Sequence, residues 1–549
     1  MPHKSCLLRA LFLCLLSIGA TLCLYGKQAD ASSASRAVRL PILGTTAIST
    51  LDPIQSVELA QYDLCNQIFE GLVTVDANGT LAPGLATRWE HSPDYRVWKF
   101  YLRDATFADD KAFPSGKGRT VTADDVLYSF KRGLSPQQGS RGSFALSRAV
   151  VGAREYSEGT TQDVPGLRIL EPDTIEIELT AGDRFFPAAL TVPATYVVPK
   201  EAVELYGIDF GRNPVGSGPF TLGQWNEGIN LTLVRNEAYG KGTGEQPAAS
   251  HIGVFEFRFF RSEAAMVAAF RNGELDARPI VGVDFAVSAR ELWEDRLAAQ
   301  FPNARIVSPG WVLKLHLLAP QMGEGHAFGG EDGVPRQALT HILSERLAAI
   351  DAFRGVGKAQ QQLLPDNLVE QPRNLPPSLD NLEQTLRDAV AGRTIRVAYA
   401  SSRVNDIVAT MLERTLTDAG ARVRNFPSTS INALFGSLAT VQPDLTLIYW
   451  SPYYPNVSEF LTALLTASQP VPNFTGFSSL DLDALHAELV SGQKDSATVT
   501  TEIDALLNVV MPWMPLYMET PLYLVSKELQ DFTINPVSVT QLTKIRFTQ

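Results

Sequence analysis

The sequence predicts an α/β fold, and three observations lead there. Strand-like and helix-like stretches are interspersed along the whole chain, without repeats or low-complexity blocks. From Thr394 the order becomes regular. A strand "TIRVAYA" is followed by a helix with Ile407, Met411, Leu412 and Leu416, a stop at Gly420, a strand "ARVRNF", a second helix and a strand "DLTLIYW". That is a βαβ-type unit, which calls for a sheet with helices packed on it. The composition, 45% hydrophobic and 19% charged over 549 residues, is that of a globular protein. At about 150 residues per domain the length suggests roughly three or four domain-sized units.

The first thirty residues differ from the rest. Lys4 and Arg9 precede an almost wholly apolar run from Ala10 to Leu24, and Ala29-Asp30-Ala31 follows as a small-x-small cleavage site. This is the layout of a secretory signal peptide over residues 1–31, because a membrane span needs about 20 apolar residues. A retained anchor is one alternative. A lipoprotein signal at Cys23 is another, but Leu22 stands where such a signal has a small residue. The expected location is therefore periplasmic or otherwise extracytoplasmic. Cleavage after Ala31 removes Lys4, Arg9, Lys27 and Asp30, which takes the formal net charge from −12 to −14. Such a surface repels phosphate backbones, so no nucleic-acid partner is expected. Cys6, Cys14 and Cys23 lie in the signal, and Cys65 alone remains, so no internal disulfide is expected.

The other elements follow in chain order. Leu64, Ile68, Phe69 and Leu72 have helical spacing, with Gly71 placed to stop that helix. Asn78-Gly79 between strand-like runs signals a hairpin. Arg96 to Leu102 is rich in strand formers, and Thr122-Ala-Asp-Asp125 is a capping box opening a helix. Thr174–Leu179, Leu231–Val234, Val254–Phe260 and Val312–Leu318 read as strands. Ser262 caps a helix with Met266, Val267 and Phe270, stopped by Gly273. "LIYWSPYYPN" then falls at the C-terminal end of the last strand, an edge that ligands favour in open α/β sheets. Its four aromatics suit a pocket; Tyr449 and Tyr454 are the ones most open to a core reading.

Catalytic motifs are lacking: there is no G-x-S-x-G elbow and no H-E-x-x-H. "PSGKGRT" (Pro114–Thr120) has Lys111 where a phosphate loop has its first glycine, so it reads as a solvated loop. "GEGHAFGGEDG" (Gly323–Gly333) gathers His326, Glu324, Glu331 and Asp332, but in no metal-cage spacing, and reads as a mobile surface insertion. No metal or cofactor is expected.

Several stretches in order resemble one known pattern: "STLDPIQS", "NQIFEGLVTVDANGTLAPGLATRWEHSPDYRVWKFYLRDATFADD", "VTADDVLYSFKR", "NPVGSGPFTLGQW", "VRNEAYG", "FRNGELDA", "VPRQALTHILSER", "NFTGFSSLDLDALHAEL" and "MPWMPLYMETPLYLVSKELQDF". Together they resemble the family 5 extracytoplasmic solute-binding proteins, the oligopeptide and dipeptide receptors of ABC importers. The resemblance implies a two-lobed periplasmic-binding-protein-like fold with an extra inserted N-terminal subdomain and a hinged ligand cleft. Carried onto this chain, the first lobe would hold residues 37–66, 196–310 and 514–549, the inserted subdomain 67–195 and the second lobe 311–513. The hinge would fall near Ser308-Pro309-Gly310 and Met511-Pro512-Trp513.

In peptide-binding members the motif reads Trp-x-Ala-Asp-Tyr-Pro-Asp-Pro, and its first Asp takes the ligand's ammonium. Here the run is Trp450-Ser451-Pro452-Tyr453-Tyr454-Pro455-Asn456-Val457, so Tyr453 stands where the acid would be. The resemblance thus assigns Trp450, Ser451 and Tyr453 to the cleft. It adds Val57, Glu58 and Leu59, matching a strand that pairs with ligand backbone, although Glu58 also reads as a solvated loop charge. Phe144 would be an aromatic wall or a helix-packing residue, and Trp311 a cleft residue or part of the hinge core. Ser344-Glu345 replaces the family's Asp-Arg and reads as a helix-surface change. The implied function is non-enzymatic capture of a peptide or small polar organic solute, delivered by a monomer to a membrane ABC permease. A secreted hydrolase with an aromatic-lined groove is the alternative, which a converging carboxylate pair would favour. A chaperone-like binder of unfolded segments is the third reading.

Overall fold

The computed structural model describes residues 36–44, 48–56, 58–136, 144–242, 247–281, 293–308, 312–331, 333–350, 357–365, 368–369, 381–452, 454, 456–465 and 475–548. The predicted signal peptide, with Cys23 and Ala31, lies outside them. The chain divides into residues 1–37 and 38–549, and the described strands and helices all belong to the second unit.

The largest sheet has six strands in the order Gly357–Ala359, Met514–Glu519, Leu315–Pro320, Leu445–Trp450, Thr394–Ala400, Arg422–Ser428. The predicted βαβ-type unit is the half of it that ends at Arg422–Ser428: Thr394–Ala400 runs parallel to both Arg422–Ser428 and Leu445–Trp450. Leu315–Pro320 is antiparallel to its two neighbours. Side chains alternate across a strand, and here both faces are covered. Leu317 and Ile448 enter one apolar cluster with Trp513, while Leu318 and Leu447 enter the other with Leu412 and Leu416. Strands buried on both faces read as continuous apolar runs, as "LTLIYW" does.

A four-stranded sheet joins Val38–Leu43, Val254–Phe260, Asn230–Arg235 and Phe220–Asn226. A second antiparallel one joins Ala86–His91, Val97–Leu102, Thr174–Glu178 and Leu167–Glu171. One apolar cluster runs through both, from Val38 and Leu231 to Phe100 and Ile177. The early motifs meet inside it. Asp52 of "STLDPIQS" takes both guanidinium ends of Arg132 from "VTADDVLYSFKR", at 2.8 and 2.5 Å. The helix Ala123–Leu134 opens on the predicted capping box, with Thr122 and Asp125 bonding reciprocally. The Asn78-Gly79 hairpin joins Val73–Val75 to Leu81–Pro83, and Gly79 takes φ 90° as its turn requires.

Several expectations shift. The first helix spans Leu59–Ile68 and ends before Gly71, so Phe69 and Leu72 are buried beyond it, not on its face. The Val312–Leu318 strand begins later, at Leu315. In the helix Arg403–Asp418 the buried face runs through Val408, Leu412 and Leu416, and Ile407 is exposed, because i, i+4, i+8 fixes the inward stripe. Ser344 is buried, so the Ser344-Glu345 change is only half a surface change; Glu345 alone is exposed. The Gly323–Gly333 segment is anchored at its middle, while Gly323–Gly325, Gly330 and Glu331 are exposed as a surface insertion would be. Phe328 is buried, and Arg336 donates to the Phe328 and Gly330 carbonyls at 2.5 and 2.7 Å. His326 bonds Asp444 at 3.0 Å. Asp332 lies outside the described residues. Among the described residues no cluster has the makings of a metal site, and no helix is long and apolar enough to cross a membrane.

Candidate functional site

A cavity of about 230 Å³ opens where the C-terminal end of Leu445–Trp450 faces the first helix. Leu59, Tyr62 and Asn66 line it from that helix. They stand at i, i+3 and i+7, opposite Leu64, Cys65 and Ile68, which are buried in the core. Tyr449, Trp450, Ser451 and Pro452 form the facing wall. Val75, Thr191 and the C-terminal segment, through Asn535, Val537 and Val539, close the sides. A second cavity of about 410 Å³ adjoins and shares Asn66, Val75, Asn535 and Val539.

Lys314, just before the strand Leu315–Pro320, lines the 230 Å³ cavity and is its one charged lining residue among the described residues. Register explains its place: Leu315 pairs with Trp450 on one side and Met518 on the other. The Glu519 N–H therefore bonds the Lys314 carbonyl at 2.9 Å, and the two side chains meet. The Lys314 ammonium lies 2.7 Å from Glu519 Oε2 and 4.7 Å from the Tyr449 ring centre. His316 reaches the same carboxylate oxygen at 3.1 Å and stacks on Tyr517, centroids 4.2 Å apart.

Burial pushes the Glu519 carboxyl up, but Lys314 and His316 outweigh it and hold it at about 2. Burial lowers the His316 pKa despite that carboxylate, so at neutral pH the ring is neutral and donates from Nε2. For Lys314 burial acts downward, and Glu519 more than offsets it, leaving the ammonium above its ordinary value. The cavity's amides are already engaged. Asn66 donates to Tyr62 O at 2.9 Å and accepts from the Tyr196 hydroxyl at 2.5 Å. Asn535 donates to Val75 O and accepts from Val539 N. The Trp450 indole N–H is buried without a partner among the described residues.

Of the residues assigned from sequence, the structure brings Leu59, Trp450 and Ser451 together on the cavity. Glu58 is exposed at the helix start, where its N–H bonds Gln61 Oε1 at 3.1 Å in a capping box. It does not line the cavity. Val57, Trp311 and Tyr453 lie outside the described residues, as do Pro309 and Gly310 of the expected hinge and Pro455. Phe144 begins a short helix, Phe144–Ala149, but its side chain is not among those described. Tyr449 is 44% exposed and faces the cavity, so the core reading does not apply to it. Tyr454 is partly buried, and burial raises its hydroxyl's pKa.

Sequence reasoning missed Tyr62, Asn66, Lys314 and the segment around Asn535. The first two carry a signal, a half-polar helix face continuing from Leu59. Lys314 carries one too, a lone cation heading an apolar strand. The Asn535 segment carries none, because it comes from far along the chain.

This is the architecture of a two-lobed binding protein. The structure of the unliganded open form of MppA, a periplasmic murein tripeptide binding protein, superposes with a TM-score of 0.73 at 21% identity, covering 94% of this chain and 98% of that one. The model of the bacterial extracellular solute-binding proteins, family 5 (middle region), matches residues 80–470, and the chain belongs to that family. Periplasmic oligopeptide-binding protein OppA of Escherichia coli K12 is 30% identical over 234 residues, 42% of this chain and 40% of OppA. The probable deoxycholate-binding periplasmic protein YgiS of the same organism is 27% identical over 271 residues, 47% of this chain and 48% of YgiS. The matched segments thus span less than half the length of these relatives.

Proposed function

We propose that the chain is the extracytoplasmic solute-binding subunit of an ABC importer. It captures a peptide or peptide-like small solute between two lobes and hands it to a membrane permease. The observation that carries this reading is the cavity: a concave site with Tyr62, Tyr449 and Trp450 in its wall, apolar Leu59, Val75 and Val539, and the polar side chains of Asn66, Thr191, Lys314, Ser451 and Asn535, a mix of aromatic and placed polar groups that small-molecule sites use. The names of OppA and MppA support a peptide as ligand, and that of YgiS supports a wider range of amphipathic solutes. In this reading Leu59, Trp450 and Ser451 touch the ligand, with Val57 and Tyr453 beside them in sequence. The lobes and the inserted subdomain are proposed as expected from sequence, except that Met514–Glu519 goes with the second lobe, because it pairs with Leu315–Pro320 there. The mature protein is proposed to be a periplasmic monomer.

The test is thermal unfolding with a tripeptide library. Stabilisation should follow RT ln(1 + [L]/Kd), about 2.7 kcal/mol at a hundredfold excess over Kd, and chromatography should recover the peptides intact. Trp450→Ala should weaken all bound peptides alike, by about tenfold or more, as loss of a large buried ring does. Steady product formation from bound peptide would defeat the receptor reading.

A further inference from the structure

The cavity's electrostatics say more about its solute than its shape does. Among the described residues its one charged lining residue is a cation, Lys314, and no carboxylate lines the wall. Glu519 engages one side of the ammonium at 2.7 Å and the Tyr449 ring stands 4.7 Å away. An ammonium has three N–H donors, so one ion-pair contact does not exhaust it. The Asn66 and Asn535 amides are held by protein partners. A solute ammonium placed here would meet the like charge of Lys314, and desolvating it with no acid on the described wall is costly. A solute carboxylate would find charge-assisted donors.

Resting on the receptor reading, we propose that Lys314 holds an anionic group of the captured solute, a carboxylate where the solute is a peptide. The same site does not select for a free amino terminus. Glu519 is a positioning residue: it holds the ammonium at 2.7 Å and is itself held by His316 at 3.1 Å.

Three matched tripeptide libraries test this by calorimetry on the full mature chain: free termini, C-amidated and N-acetylated. In the wild type, C-amidation should weaken binding by about tenfold or more, the scale of a charge-assisted contact. N-acetylation should change it by less than about threefold. The double variant Lys314→Met/Glu519→Gln removes both charges together, so neither is left buried alone. In it the effect of amidation should fall below about twofold, with N-acetylated and free libraries still bound. Equal binding of acid and amide by the wild type overturns the inference and leaves the receptor reading standing. So does a full amidation effect persisting in the double variant. Failure of all three libraries to bind overturns the peptide-receptor reading and this inference with it.

Discussion

Two acid–base pairs in this protein use the same chemistry to opposite ends. Arg132 and Asp52 lock the helix Ala123–Leu134 to the N-terminal segment, with side chains only 5% and 12% exposed. Both guanidinium ends are on the carboxylate, and Phe210 lies 5.4 Å from its centre. Lys314 and Glu519 sit instead at the end of a strand beside a cavity, 25% and 33% exposed. The sealed pair joins segments 80 residues apart and offers nothing to a ligand. The open pair leaves one partner facing a space that a ligand can fill. The surroundings of an ion pair, not its composition, decide whether it holds the fold or serves a site.

The largest effect should come from the sealed pair. Arg132→Met leaves Asp52 buried and unpaired, which costs about 3–5 kcal/mol. Urea unfolding should show that loss, while any ligand preference of the folded fraction stays as in the wild type. A loss below about 1 kcal/mol would mean that Asp52 is solvated and that the contrast fails.

Lys314→Met should cost less, about 1–3 kcal/mol, because solvent screens a pair this exposed. The pH dependence sharpens the point. A carboxyl held at about 2, below its ordinary 4.5, contributes stability that is full above about 4.5 and lost as pH falls toward 2. The gap between wild type and Lys314→Met should therefore close across that window. A gap that stays constant from pH 7 to pH 3 would remove Glu519 from the explanation.

The smallest effect concerns acids for which burial dominates. Burial raises Asp63, bonded to Thr540, and Asp183 to about 6 each. Acids with raised pKa values bind more protons folded than unfolded, so stability falls as pH rises from about 4 to about 6. This slope is opposite to that of Glu519. Asp63→Asn should flatten the upper slope by about 1–2 kcal/mol, screening included. A difference between wild type and Asp63→Asn that stays constant between about pH 4 and 6 would contradict the assignment.

Part of the site was legible because that part is local. Leu59, Trp450 and Ser451 sit at a helix start and a strand end, and the motif resemblance marked both places. Glu58 shows the limit of that method: the same helix start that brings Leu59 to the cavity engages Glu58 in its own cap. Lys314 was passed over because its meaning depends on Tyr449 and Glu519, more than a hundred and two hundred residues further on. The Gly323–Gly333 segment looked loose by composition, yet Arg336 ties it down with carbonyl contacts that no side-chain pattern advertises.

By itself the sequence determined the secondary structure and the family. Capping boxes, turn glycines and the alternation of apolar residues act over a few positions, and the ordered motifs survive as text. Tertiary structure alone decided which side chains share the cavity. Strand register put Leu315 opposite both Trp450 and Met518, and from that pairing Lys314 gained its ring and its carboxylate. The Asn535–Val539 turn reached the first helix through the Thr540 hydroxyl on Asp63 at 2.7 Å. Contacts of that kind depend on how sheets and helices close against one another. A one-residue slip in register would have turned each of these side chains to the opposite face.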